Sequence, residues 1–291
     1  MAWLSGKRAV ITGAGGFLGS RLHSRLSGLG AEVLPIDRER DVRDKSILTP
    51  VFREGDVIFH LAGLANPQYC SQHPEEALSV NALGTLGVLE AALAKACSLV
   101  VLASTSHVYG VPQRMPVDEL HPVAPSSPYG ASKALAESFC SYYSRFRGLK
   151  TVTLRFFNIY GPGQRGDYLI PTITRQLGGD TIRIRDFAAR RDYLYVDDAI
   201  EAFLLAASNE KAAGDVFNIG GGKLYSAKEV AETISSLSGK NLPVAESPSP
   251  DLAGGARELS ADTSKAQKIL GWKQAVPLEQ GLRRVLGTIG N

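Results

Sequence analysis

The chain has 291 residues, with 32 Lys and Arg against 29 Asp and Glu, a net charge of +3 and 44% hydrophobic residues. That length accommodates an α/β domain with a smaller cap and a core that needs no covalent staples. So small and dispersed a charge excess predicts neither a nucleic-acid partner nor an acidic membrane partner. Three cysteines, Cys70, Cys97 and Cys140, are odd in number and lie in or beside regular patterns; this suits reduced thiols in a cytoplasmic protein better than a disulfide framework or a metal site. The opening MAWLSGKRAVITG has no long apolar stretch before a cleavage site, and no apolar run is expected to span a bilayer, so a soluble chain is predicted.

Along the chain, RAVIT, EVLPID, DVIFHLA, SLVVLAST and TVTLRFF are short runs, apolar at nearly every position, separated by helical patterns such as EEALSVNALGTLGVLEAALAK. Apolarity on both faces means burial on both faces, so the alternation predicts an α/β fold: a Rossmann-type, doubly wound parallel sheet with helices on either side. After about residue 160, Gly and Pro gather in IYGPGQRGDY and later in NLPVAESPSPDLAGG, which reads as surface loop. This half is expected to form a smaller α/β C-terminal cap. RDYLYVDDAIEAFLLAA and DVFNIGG again read as strand, helix and strand, which predicts a return to the first sheet. The expected division is 1–160 with a return segment at about 191–222 for the nucleotide domain, and 161–190 with 223–291 for the cap.

VITGAGGFLGS follows the first strand and opens the first helix, with Gly13, Gly16 and Gly19 spaced three apart. A tight turn, a close approach of pyrophosphate and a close helix-strand contact each require the missing Cβ. The free amides at the helix start, at Phe17 and Leu18, then suit an anion. A tight connection without ligand is the alternative. Asp37 ends the second strand 18 residues after Gly19, where a carboxylate bonds ribose hydroxyls and repels a 2′-phosphate. Arg38 follows and would favour the phosphate, but the acid at the strand tip is the more direct determinant, so NAD is the expected cofactor.

SPYGASKALAE places Tyr129 four residues ahead of Lys133 on one helix face. A phenol of ordinary pKa needs about 4 kcal/mol of preferential phenolate stabilisation to act as a base near neutrality. A cation at ~6 Å in an effective dielectric of about 20 supplies roughly 2.8 kcal/mol, and an oxidised nicotinamide would add a similar field. Two cations suffice where one does not, and the same residue then serves as base and acid. The plain alternative is a solvated Tyr and Lys on a helix surface.

GAGGFLG, HLAG (60–63), Asn81, STSHVYG (104–110), YGASK, LRFFNIYGPGQ (154–164), RDYLYVDD and ADTSKAQKILGW together make the chain resemble the extended short-chain dehydrogenase/reductases, specifically the NAD-dependent sugar epimerase/dehydratase family. The resemblance covers nearly the whole length. It implies NAD in the first domain, a nucleotide-diphosphate sugar in the second, and Tyr129, Lys133 and Thr105 as catalytic residues, with Lys133 also on the nicotinamide ribose. It further implies that Asp41 and Val42 lie around the adenine, that Leu61, Ala62 and Gly63 run along the cofactor, that Phe156 neighbours the nicotinamide, and that Asn81 braces the active-site backbone. A helix-interior Asn without special duty is the alternative for Asn81.

In the family's 4,6-dehydratases the two residues after the Thr are Asp and Glu, whereas here they are Ser106 and His107. Ser106 cannot be that acid, which leaves 4-epimerisation through a transient 4-keto sugar as the expected chemistry. A 4-ketoreductase or dehydratase using His107 as proton carrier and a non-catalytic dinucleotide sensor are the alternatives; the plain reading of His107 is a side chain that bonds a neighbouring loop. On the substrate side the resemblance implies Phe157, Asn158 and Arg191, although the run RIRDFAARRD would otherwise read as a solvated edge. Two departures stand out: Arg185, Asp186 and Phe187 replace the usual small turn before that arginine, and Leu252 stands where a second diphosphate arginine is expected, with Arg257 as its substitute. The helices at 75–95 and 128–146, with Gly84, Gly87, Ala92 and Phe139, predict a homodimer through a four-helix interface; covering the sheet alone is the other reading.

Overall fold

The structure is a computed structural model, and it describes residues 7–248 and 256–288. The first half alternates strand and helix: β1 (Arg8–Thr12), α1 (Phe17–Gly28), β2 (Glu32–Ile36), α2 (Lys45–Leu48), β3 (Val57–His60), α3 (Pro67–Gln72) and α4 (Pro74–Leu78). A π-helical turn, Ser79–Leu83, carries α4 into α5 (Gly84–Ala94); β4 (Leu99–Thr105), α6 (Pro128–Phe146) and β5 (Thr151–Phe156) follow. Helix α6 begins where Ser127 caps the Gly130 amide and Pro128 takes the first helical turn, which needs no N–H donor there.

The second half comprises β6 (Asn158–Tyr160), α7 (Leu169–Arg175), β7 (Ile182–Arg185), β8 (Arg190–Tyr195), α8 (Val196–Ser208), β9 (Val216–Ile219), β10 (Leu224–Ser226), α9 (Ala227–Leu237), β11 (Val244–Ser247), β12 (Glu258–Leu259), α10 (Ser264–Leu270) and α11 (Leu278–Gly287). The main sheet is parallel throughout, in the order β2-β1-β3-β4-β5-β9. Its strands are buried on both faces: Ala9, Ile11, Val101 and Leu154 pack with α1 and α8, while Val10, Ile58, Val100 and Leu102 pack with α5 and α6. The chain turns one way from β1 to β2 and the other way to β3, so a crevice opens beyond the carboxyl ends of β1 and β3.

The expected return to this sheet is made by α8, which packs Phe203 against Phe59 and Phe156, and by β9, which pairs with β5. The strand RDYLY does not join it. It is β8, the centre of a second sheet between β10 and β12, with β6 along its other half. Asp192 locks this strand to the main sheet, its carboxylate accepting from the amides of Gly221 (2.5 Å), Gly222 (2.9 Å) and Ala261 (2.9 Å).

Two expectations are corrected here. The segment Pro74–Ala94 is long and apolar enough, at 21 residues and a mean hydropathy of 1.5, to pass as a membrane span by length and composition. Its apolar content faces the sheet, with Val88, Leu89, Ala91 and Ala92 fully buried in the core. For the same reason Gly84, Gly87 and Ala92 are not available to a partner: a Cβ on Gly87 would stand 2.4 Å from the Val42 carbonyl, and one on Gly84 2.8 Å from Val42 Cγ2. The outward apolar residues are Leu78 on α4, Leu83 on the π-helical turn, and Leu135, Tyr142 and Phe146 on α6.

Candidate functional site

The glycine loop closes over the sheet by contact. Gly13 sits at φ +72, and a Cβ there would lie 2.8 Å from the Ala62 amide nitrogen, so this turn is pressed against the segment after β3. On Gly19 a Cβ would lie 2.1 Å from the Gly13 carbonyl oxygen, which is why α1 can start only with glycine at that point. No side chain caps α1, leaving the first-turn amides at Phe17 and Leu18 turned to the crevice mouth, where a cradle for an anion fits. Asp37 closes the rim: Oδ2 accepts from the Gly15 amide at 2.7 Å, beside the fully exposed Arg38. These residues fit a dinucleotide.

Beyond them, Asp41 is tied to Arg43 at 2.5 Å, which holds its carboxyl below the usual range, and Val42 is buried beneath α5. A shallow recess lined by Asp41, Arg43, Lys45, Leu86 and Glu90 lies there, on the far side of α5 from the glycine loop, and contains none of the proton-transfer residues.

The loop Leu61-Ala62-Gly63 is fixed by a chain of bonds through a buried histidine. Thr12 Oγ1 accepts from the Ala62 amide at 3.3 Å and meets His60 Nδ1 at 2.7 Å, and His60 Nε2 meets Thr85 Oγ1 at 3.0 Å. Since the Thr85 hydroxyl donates to the Asn81 carbonyl at 2.6 Å, the proton of His60 belongs on Nε2. Burial lowers the His60 pKa to about 3, with the Lys133 charge adding to it, so the ring stays neutral. Asn81, carried on the π-helical turn, accepts from the Leu64 amide at 2.7 Å and donates to the Leu64 carbonyl and to Ser132 Oγ. Its amide is fully engaged by protein, so it serves this site as a brace.

Tyr129 and Lys133 lie on the buried face of α6, against the end of β4. The Tyr129 hydroxyl lies beside Thr105, whose Oγ1 accepts from the His107 amide at 3.2 Å, and the Tyr129 ring packs on Cys70 and Leu64. Lys133 Nζ donates to the Ala103 carbonyl at 2.9 Å, and a Cβ on Gly63 would stand 3.3 Å from it. Burial pushes the Tyr129 pKa up, opposed by the Thr105 hydroxyl, and burial pulls Lys133 down to about 8. In the free protein burial outweighs the influences that favour the phenolate, so the Tyr129 phenol remains a weak acid. Gly130 makes the approach possible, because a Cβ there would lie 2.5 Å from the His107 carbonyl oxygen.

His107 stands edge-on to Tyr129, with ring centroids 5.3 Å apart. Its side chain is open to solvent on one side, yet the protein walls around it and the Arg191 charge lower its pKa to about 4. Ser106 is buried beside it. Arg191 forms no ion pair among the described residues; Nη1 donates to the carbonyls of Arg190 (3.0 Å) and Arg257 (2.7 Å). Arg257 is thus brought next to Arg191 by its backbone and has an exposed side chain. Leu252 lies outside the described residues. The replaced small turn survives in altered form: Asp186 adopts φ +48 and its carboxylate accepts from the Ala189 amide.

Asn158 donates to the Asp192 carbonyl at 3.2 Å. Phe156 and Phe157 are not brought to the cleft surface, at 5% and 3% exposure: the first packs on Phe203 at 5.1 Å, the second on Val108, Tyr109 and Ala261. Sequence reasoning missed Tyr168, whose hydroxyl donates to the Ala65 carbonyl at 3.3 Å close enough to bear on Tyr129. It also missed Glu137, Arg155 and Ser104 behind the pair. Tyr168 gives no signal within its loop, whereas Glu137 continues the spacing of Tyr129 and Lys133 by four.

Comparison with known proteins agrees with this geometry. Residues 9–220 match the model of the NAD dependent epimerase/dehydratase family. A putative UDP-glucose 4-epimerase of Methanocaldococcus jannaschii is 30% identical over 97% of this chain and 98% of its own. The GDP-6-deoxy-D-mannose reductase of Pseudomonas aeruginosa is 28% identical over 96% of each. The crystal structure of UDP-glucose 4-epimerase from Thermotoga maritima with UDP-glucose superposes at a TM-score of 0.91, with 28% identity and coverage of 97% and 98%. With a glycine loop at the switch point, a Tyr-Lys helix beside it and similarity that runs the length of the chain, this protein belongs to the NAD dependent epimerase/dehydratase family.

Proposed function

We propose that the protein is an NAD-dependent epimerase that inverts C4 of a nucleotide-diphosphate sugar through a transient 4-keto sugar. The observation that carries this reading is the placing of Tyr129 beside Thr105 at the end of β4, with Lys133 one helical turn behind and bonded to the Ala103 carbonyl, and the glycine loop alongside. NAD, when bound, would supply the hydride acceptor and a second positive field beside that of Lys133. Tyr129 accepts the C4 hydroxyl proton as the C4 hydrogen departs as hydride, and returns it once hydride has come back on the opposite face of the turned ring. Thr105 holds the reacting oxygen in line, while Lys133 keeps a positive charge nearby and bonds the nicotinamide ribose. Arg191 on β8, with Arg257 beside it, holds the diphosphate, so the second sheet anchors the nucleotide while the sugar turns. Similarity to two relatives of different activity, an epimerase and a reductase, leaves the choice of chemistry to the residues. Ser106 offers no carboxyl for removing water.

One observation favours a second reading, a 4-ketoreductase or dehydratase: the neutral His107 ring edge-on to Tyr129 and open to the cleft. Incubation with UDP-, GDP-, CDP- and dTDP-sugars, without added cofactor, separates the two. Appearance of the C4 epimer with no net change in NAD supports the epimerase. Product formed only with stoichiometric reduced cofactor supports the reductase, and no turnover of any sugar leaves a dinucleotide sensor.

We also propose a cytoplasmic homodimer through the outer faces of α5 and α6. Leu83, on the turn before α5, and Leu135, Tyr142 and Phe146 on α6 are 50%, 45%, 46% and 74% exposed, with the Tyr142 and Phe146 rings 5.8 Å apart, which supports a self-complementary contact. The three free, buried cysteines fit a reducing compartment.

A further inference from the structure

Behind the proton-transfer pair lies a buried charge that the proposed reaction does not use. Tyr129, Lys133 and Glu137 follow one another at intervals of four along α6, so they share a face, and all three are buried. Glu137 Oε1 accepts from Ser104 Oγ at 2.5 Å and from Arg155 Nε at 3.0 Å, and Oε2 accepts from Arg155 Nη2 at 2.6 Å. Arg155 is completed by Tyr109: Nη1 donates to its hydroxyl at 2.9 Å, the guanidinium lies 4.8 Å over its ring, and that hydroxyl donates to Asn218 Oδ1 at 2.7 Å. Ser104 stands between Ala103, whose carbonyl receives Lys133, and Thr105, which lies beside the Tyr129 hydroxyl. One carboxylate therefore fastens α6 to the stretch of β4 that carries both contacts.

We infer that Glu137 is a positioning residue for the proton-transfer pair, fixing α6 on β4 and supplying the negative charge that keeps Lys133 an ammonium ion inside the protein. This rests on the reading of Lys133 as a charged partner of Tyr129. A buried ion pair stabilises a fold little better than apolar side chains of equal volume, so its place here is explained by its effect on its neighbours. The groups facing Lys133 are Tyr129, Glu137 and Cys140 from its own helix, Cys70 from α3 and His60 from β3, with Arg155 of β5 across Glu137. The two thiols are held protonated by burial and His60 is neutral, which leaves Glu137 the one anion among them. Burial lowers Lys133, and Glu137 is the foremost influence opposing it.

The test follows Lys133 directly, without turnover. Lysine labelled with carbon-13 at Cε is incorporated, the Lys133 signal is assigned by its loss in Lys133→Arg, and its titration is read by NMR. Glu137→Gln leaves the Arg155 guanidinium buried and unpaired, so the decisive variant is the double Glu137→Gln/Arg155→Gln, which removes both charges and is checked for folding by circular dichroism. Lys133 is expected to titrate about one pH unit or more lower in the double variant than in the wild type. An unchanged titration in the folded double variant overturns the inference, and so does a wild-type Lys133 already neutral at pH about 7, whatever the variants do. The basic limb of kcat/KM should move down in parallel. A shifted Lys133 with an unmoved limb upholds the role of Glu137 and counts instead against the reading of Lys133 in the reaction.

Discussion

The two walls of the cleft are built differently. At the ends of β1, β3 and β4, the polar side chains of the site other than His107 are held by protein: Thr12, His60, Thr85 and Asn81 form one chain of bonds, while Lys133 and Glu137 are each bonded to β4, at Ala103 and Ser104. Glycines at 13, 19 and 130 stand where a Cβ would collide with backbone, so that wall has no room to adjust. Across the cleft, among the described residues, Arg191 bonds only backbone carbonyls and Arg257 is exposed. The rigid wall carries what any family member needs, a cofactor bed and a proton carrier, while the loose wall has to read a particular sugar nucleotide. The altered turn before Arg191 falls on the loose wall, whereas Ser106 and the solvent-open His107 follow β4 on the rigid one.

The sharpest way to break this contrast is Tyr129→Phe, which removes one hydroxyl and leaves the packing on Cys70. Turnover should fall by about a thousandfold, with NAD affinity, measured by calorimetry, unchanged; retained turnover would remove the rigid wall from the chemistry. On the loose wall, Arg191→Ala should raise KM for the nucleotide sugar about ten- to a hundredfold with little change in kcat, as loss of a charge-assisted contact does. A drop in kcat alone in steady-state kinetics would place Arg191 in the reaction itself.

Smaller effects sharpen the difference. Gly19→Ala drives a methyl into the Gly13 carbonyl and should cost about 1–3 kcal/mol in denaturant unfolding. Gly15→Ala meets only the Asp37 carboxylate, at 3.0 Å, which can swing aside. It should weaken NAD binding while leaving stability nearly intact; equal losses from both substitutions would show that the loop is not graded in this way.

The smallest effect is in acid. The folded His60 pKa lies near 3, below the ordinary value of 6.5, so the unfolded chain binds the extra proton between those limits. Stability should therefore fall as pH drops from about 6.5, by at most ~1.4 kcal/mol per pH unit from this group. The slope should flatten in His60→Gln, even if that variant is less stable overall; an unchanged slope would put the acid sensitivity elsewhere.

Much of the rigid wall was legible because its causes are local. Gly13, Gly16 and Gly19 follow from one turn and one helix start, and Tyr129 with Lys133 from the helical repeat. What escaped depends on contacts distant in sequence. Arg155 meets Glu137 from 18 residues away and Ser104 from the far side of α6. Gly84 and Gly87 read as partner-facing because a helix buried on several sides shows no clear stripe; their neighbour proved to be Val42. RDYLY has the apolar pattern of a central strand, and nothing in that pattern says which sheet it enters. Phe156 lies at the right register position beside Thr105, but its ring turns to Phe203.

Tyr129 is thus a weak acid in the free protein, and the account holds that it becomes a base only with the dinucleotide in place. The most direct measurement is the ultraviolet phenolate absorbance of the protein against pH, with and without saturating NAD, taken as the difference between wild type and Tyr129→Phe. The account predicts that no Tyr129 phenolate forms below pH ~10 in the free protein, and that it forms several pH units lower once NAD is bound. An identical titration in both states would contradict it.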